Sequence, residues 1–184
     1  MAELRAISTR AEITPMRFWN EYEWGELEAD AGQLLPRYYD AHLYAANWGT
    51  LRFMVRLPAE GVDLAGLKPY FCRGRTRLTR SGDFVVLDFR SHDDRNDEDW
   101  SEGPGLATLI PIRFQLLQGD LSAAYLAWLC RVQDGSLDED QHEPPVPVGL
   151  SQMSPPLTNL VKFLRLDLDL LAAAAGSIGP ARVS

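Results

Sequence analysis

The stretch RYYDAHLYAANWGTLRFMVRLP, residues 37–58, decides the fold. Its second half alternates: Leu51, Phe53, Val55 and Leu57 fall on one side of an extended chain, and Arg52, Met54 and Arg56 on the other. A period of two, carried by aromatic, aliphatic and β-branched side chains, marks a strand with one buried and one mostly wet face. Residues 42–46 carry a second strand-like run. Asn47-Trp48-Gly49-Thr50 between the two is a glycine-containing turn, so the stretch reads as a β-hairpin.

A second hairpin is expected downstream, with strands over residues 70–78 and 84–89 around a turn at 79–83. Residues 84–87 are an unbroken apolar run, as a central strand requires. Arg73, Arg75 and Arg77 fall two apart, so a continuous strand projects all three from one face, with Arg80 beside them. Upstream, residues 11–14 read as a strand that Pro15 ends or confines to an edge. Short helices are expected over 2–8 and from Asp30 to residue 35.

Beyond residue 105 the period changes to that of helices. Leu121, Ala124, Tyr125, Trp128, Leu129 and Val132 recur at helical spacing behind Asp120 as N-cap, with Gly135 past the end. Ser154 followed by Pro155 starts a helix bearing Leu157, Leu160, Val161 and Leu164 on one face. Asp167 caps a last short helix ending near Gly176, and residues 143–150, with three prolines, form an extended connector. These readings predict an α+β protein: a small, mainly antiparallel sheet from the N-terminal half packed against helices from the C-terminal half. The expected organisation is a sheet-rich part at 1–90, an acidic loop at 91–104, a helical part of the same domain at 105–176, and a disordered tail at 177–184.

Length and composition agree with a single globular domain. The chain has 184 residues, of which 46% are hydrophobic, ample for a core. No apolar run reaches the roughly 18 residues of a membrane span, since Arg165, Asp167 and Asp169 interrupt the longest. The opening MAELRAISTR has no apolar core of a secretion signal, and two isolated cysteines, Cys72 and Cys130, make no disulfide framework. A cytoplasmic protein is expected.

Charge is unevenly placed. Formal net charge is -8, yet residues 91–104 and 134–143 hold 11 of the 26 acidic residues. Without those two segments the chain carries 17 basic against 15 acidic residues. Between Lys68 and Arg80 five basic residues occur with no acid.

The residues also carry a resemblance. STRAEITP at 8–15, YEWG at 22–25, the hairpin stretch at 37–58, LLQGDLSAAYLAWL at 116–129 and EPPVPVGL at 143–150 are similar to the pattern of an uncharacterised bacterial protein family. That family has no established activity, and the match covers nearly the whole chain without a catalytic signature. Its members run longer at both ends, with a strand and turn before the position of Ala2 and more helix after Ala175. The resemblance therefore implies a shortened member.

Local signatures of chemistry are missing. There is no Gly-x-Ser-x-Gly, no Walker A loop, no Gly-x-Gly-x-x-Gly, no Cys-x-x-Cys and no His-Glu-x-x-His. His42, His92 and His142 share no metal-site spacing, and the acidic loop lacks the register of a calcium-binding loop. Neither a cofactor nor a metal is expected, and the sequence leans away from an enzyme. The favoured expectation is protein–protein contact or self-association, with Trp48 in the hairpin turn and Arg73, Arg75 and Arg77 as partner-contact residues. Two alternatives stand beside it. One is a hydrolase-like site assembled around Asp40 and His42. The other is nucleic-acid contact through Arg73, Arg75 and Arg77, which a sequence pI near 4.9 disfavours. The blander reading of the arginine row is pairing with the chain's own acidic segments, or protection of an edge strand.

Overall fold

A computed structural model describes residues 12–14, 17–22, 39–46, 50–71, 74–92, 105–138 and 140–176. Its strands are β1 (Glu12–Thr14), β2 (Arg17–Tyr22), β3 (Ala41–Ala46), β4 (Thr50–Pro58), β5 (Thr76–Ser81) and β6 (Phe84–His92). They form one sheet in the order β1-β2-β3-β4-β6-β5. All neighbours are antiparallel except β2 and β3, which run parallel. The helices are α1 (Leu64–Leu67), α2 (Leu106–Leu109), α3 (Pro111–Leu117), α4 (Ser122–Gln133), α5 (Pro155–Leu164) and α6 (Leu168–Gly176). The architecture is α+β, with the sheet in the N-terminal half packed on helices of the C-terminal half.

The alternation in β4 places the core. Leu51, Phe53, Val55 and Leu57 are buried toward the helices, in register with Ser91, Phe89, Leu87 and Val85 of β6. Phe53 stacks on Phe89 at 5.9 Å between ring centres and meets Phe163 of α5 edge-on at 6.1 Å. Such aromatic pairs add about 1 kcal/mol each beyond the area they bury. The unbroken apolar run of β6 fits its place between β4 and β5.

α4 carries the expected stripe but is buried from Ser122 to Arg131 on all sides. A helix covered on more than one face has no need of a polar side, which accounts for AAYLAWLC at its centre. Its N-cap is Leu121, one residue after the expected Asp120, whose carboxylate still holds the first turn by accepting a 2.9 Å bond from the Ser122 amide. α6 is capped by Asp167, whose carboxylate accepts from the amides of Asp169 (2.7 Å) and Leu170 (3.2 Å). α5 ends at Arg165, a non-glycine residue at φ 53, with the Leu166 amide bonded back to Val161.

Several expectations are corrected. The strand expected from Tyr70 begins only at Thr76, because residues 68–70 form a turn of 3-10 helix and Gly74 takes φ 152, which breaks an extended run. The turn expected at 79–83 shrinks to Gly82 and Asp83, since Ser81 and Phe84 still pair. Finally, the far face of the sheet is not wet at its centre: His42, Met54, Val86 and Asp88 are all less than 5% exposed. There the Asp88 carboxylate is satisfied by Arg52 and Arg90 instead of by water. The helices expected over 2–8 and 30–35, residues 93–104 of the acidic loop expected at 91–104 and the tail 177–184 lie outside the described residues, as do Trp48, Cys72 and Arg73, while residues 91 and 92 end β6 instead of opening that loop.

Candidate functional site at the sheet edge

Two rows of side chains cross the far face. Register sets His42 of β3, Met54 of β4, Asp88 of β6 and Arg77 of β5 side by side. The next row holds Tyr44, Arg52 and Arg90. Arg52 grips Asp88 with two bonds of 3.0 and 2.9 Å, and Arg90 adds two more of 3.1 and 2.9 Å. Burial alone would push the Asp88 carboxyl up. The bonds and charges of Arg52 and Arg90 outweigh burial and hold it below the usual carboxylate range. With its oxygens bonded to these two guanidinium groups, Asp88 is spoken for, although Arg77 stands opposite it in the ladder.

Asp40 is similarly engaged. Its Oδ1 accepts from Arg56 Nη2 at 2.9 Å and from Arg113 Nη2 at 3.2 Å, and Arg113 Nε also donates to the Arg56 carbonyl at 2.8 Å. The carboxylate thus ties α3 to β4. His42 lies buried, 2% exposed, in the far-face row beside Met54. Asp40, opposite Arg56, and His42, opposite Met54, stand two apart on one side of the chain, and the ion pairs of Asp40 run to Arg56 and Arg113.

Of the arginines suggested from sequence, Arg75 turns inward. Its Nη1 pairs with Asp134 at the end of α4 (2.7 Å), its Nη2 donates to the Leu164 carbonyl at the end of α5 (2.7 Å), and its Nε reaches the Arg90 carbonyl at 3.3 Å. One guanidinium thus joins two helix C-termini to the sheet. Arg77 stays exposed on β5 and has no ion-pair partner among the described residues, and Arg80 makes one long bond, 3.4 Å, to the Gly82 carbonyl. The structure does not bring Arg75 and Arg77 together as a basic row. It sets Arg77 opposite Asp88, which Arg52 and Arg90 already hold, an arrangement missed in the sequence. Its signal was the alternation Arg52-x-Met54-x-Arg56 on one strand and Asp88-x-Arg90 on the next.

β5 is the last strand of the sheet, and its free side can be worked out from the ladder. The Arg90 amide donates to the Arg75 carbonyl at 2.8 Å, so residues 75, 77, 79 and 81 bond toward β6. The amides and carbonyls of Thr76, Leu78 and Arg80 then point outward. Thr76 is fully buried, its hydroxyl 3.5 Å from the Ala127 carbonyl, so the edge is shut there. At Leu78 and Arg80 it is open: Leu78 is half-buried, Thr79 and Arg80 are exposed, and no backbone partner occurs among the described residues.

Other groups with chemical potential are held internally. Tyr70 donates to the Pro145 carbonyl at 2.8 Å, and Tyr125 donates to Glu143. Burial raises both phenols, and the Glu143 carboxylate raises Tyr125 further, so neither ionises near neutrality. Burial likewise pushes the Cys130 thiol up to about 12. An open groove of about 560 Å³ lies between Tyr70, Asp120, Pro145, Pro147 and Val148, but the Asp120 carboxylate in it already holds the first turn of α4. Among the described residues no three His, Cys, Asp or Glu side chains converge to hold a metal ion. No helix among them is long and apolar enough to cross a membrane.

No family model, curated protein or solved structure matches the chain.

Proposed function

We propose that this is a non-catalytic cytoplasmic protein that acts by contact with another protein chain, and that it is a member of the bacterial family its hairpin stretch resembles. One observation carries the reading: among the described residues the sheet ends in an open strand bearing arginines, whereas Asp40, Asp88, Tyr70, Tyr125 and Cys130, which could do acid–base or nucleophilic chemistry, are tied into the fold. Asp40 and Asp88 are held by two arginines each, Tyr70 and Tyr125 hold down the proline-rich connector, and Cys130 is buried and neutral. An open edge is a ready template for a second chain, and natural proteins cover or charge such edges to choose what pairs there.

The test is size-exclusion chromatography with light scattering at low and high salt, run beside a panel of chromogenic ester, phosphoester and glycoside substrates. The reading expects a self-associated species or a partner-dependent shift, and no turnover. Hydrolysis of any substrate in the panel that disappears in His42→Ala would overturn it in favour of an enzyme built around Asp40 and His42.

A further inference from the structure

Resting on the contact reading above, the geometry points to the kind of partner: an acidic, extended peptide segment of another protein that adds as a strand to the outer edge of β5. Among the described residues the open backbone groups are the amides and carbonyls of Leu78 and Arg80, spaced two residues apart as strand pairing requires. Side chains dictate the rest of the fit. Arg77 and Thr79 look to the far face, Leu78 and Arg80 to the helix side.

Charge selects the occupant. Residues 76–82, TRLTRSG, contain two arginines and no acid. Asp88, the carboxylate nearest in register to Arg77, is already bonded by Arg52 and Arg90. A second copy joining edge to edge through β5 would bring four arginines to one joint, with Asp83 of the turn beyond each strand as the nearest carboxylate in sequence, and like charges facing across strands destabilise. A strand with acidic residues opposite Arg77 and Arg80 meets no such penalty. Opposite Leu78, which packs against the core, an apolar residue extends the buried face, and opposite the exposed Thr79 a β-branched residue fits the pleat. In antiparallel order the edge thus fits the tetrad acidic, β-branched, apolar, acidic.

The probe is a fluorescein-labelled synthetic peptide, Thr-Glu-Val-Leu-Glu-Thr, titrated against the full chain by fluorescence anisotropy. N-methylating the leucine amide removes a hydrogen bond to β5, whereas N-methylating the valine amide, which points away, does not. Saturable binding is expected, weakened at least 10-fold by the leucine N-methyl group and by Arg77→Glu, and unchanged by the valine N-methyl group. Arg80→Pro removes an outward amide without touching the β6 ladder and should weaken binding as much, with Arg80→Ala as the control for charge alone. The N-methyl pair leaves the protein unaltered, so a variant that fails to fold cannot decide the matter. No binding, equal loss with both N-methyl peptides, or equal binding of a peptide with lysine for glutamate would overturn the strand-addition inference. If the chain nevertheless self-associates in light scattering, only this inference fails and the contact reading stands. Substrate turnover would sink the reading itself.

Discussion

Arg52 and Arg77 stand on the same face of the same sheet, on either side of Asp88, and meet opposite fates. Arg52 comes from β4, which has neighbours on both sides, and its side chain is 21% exposed. It is fixed to Asp88 by two bonds near 3 Å. Arg77 comes from the edge strand, is exposed, and has no ion pair among the described residues. The same residue type is thus a structural clamp in the interior and, among the described residues, a charge without an ion pair at the rim. The difference lies in the surroundings: a guanidinium leaves water at reasonable cost only against a well-placed carboxylate, and Asp88 is shared by Arg52 and Arg90. Arg75 shows that the interior fate extends one residue beyond the start of β5, because two helix ends supply acceptors there.

The contrast fails most visibly if the interior clamp is dispensable. Asp88→Ala leaves two guanidinium groups facing one another without a carboxylate and should cost about 3 kcal/mol in urea unfolding. The same clamp sets an acid limit. The folded carboxyl lies below its unfolded value, so its contribution is fully present above about pH 4 and fades as pH falls through the lower folded value. Asp88→Asn should flatten this part of the acid-unfolding curve, and an unchanged curve would show the clamp to be idle.

A second interior test concerns close approach. A Cβ on Gly149 would sit 2.6 Å from the buried Ser122 Oγ and 3.4 Å from Asp120 Oδ1, so Gly149→Ala should cost about 1–2 kcal/mol by pushing the connector off the start of α4. Arg75→Ala gives up an ion pair and a helix-end carbonyl bond together and should cost about 1–2 kcal/mol in the same assay. At the rim, Arg77→Ala and Arg80→Ala should change stability by no more than about 0.5 kcal/mol. A large loss at either would mean that the edge arginines serve the fold after all.

Much of this architecture was legible in the residues, and the illegible part has a common cause. Local rules sufficed for the hairpin of β3 and β4, the central place of β6, and the starts of α4, α5 and α6. Alternation, helical spacing and the helix-start carboxylates of Asp120 and Asp167 act within a few residues. β2 escaped because Arg17-Phe18-Trp19-Asn20-Glu21-Tyr22 lacks β-branched residues, its local partner β1 is only three residues long, and its other partner, β3, lies parallel and distant in the chain. The arginine row misled because spacing by two mimics a strand face, while Gly74 breaks the run and Arg75 finds acceptors on α4 and α5. The clamp on Asp88 depends on the register of β4 against β6, which no local rule supplies. The open edge was the least visible feature, since the outermost strand is known only once every other strand has been placed.

Native-state hydrogen exchange along β5, read amide by amide by NMR on the free protein, tests the central claim most directly. The account expects alternation: slow exchange at Arg77 and Thr79, whose amides bond to β6, and fast exchange at Leu78 and Arg80, whose amides face outward. Slow exchange at all four positions in the free chain would contradict it, because the edge offered to a partner would already be covered.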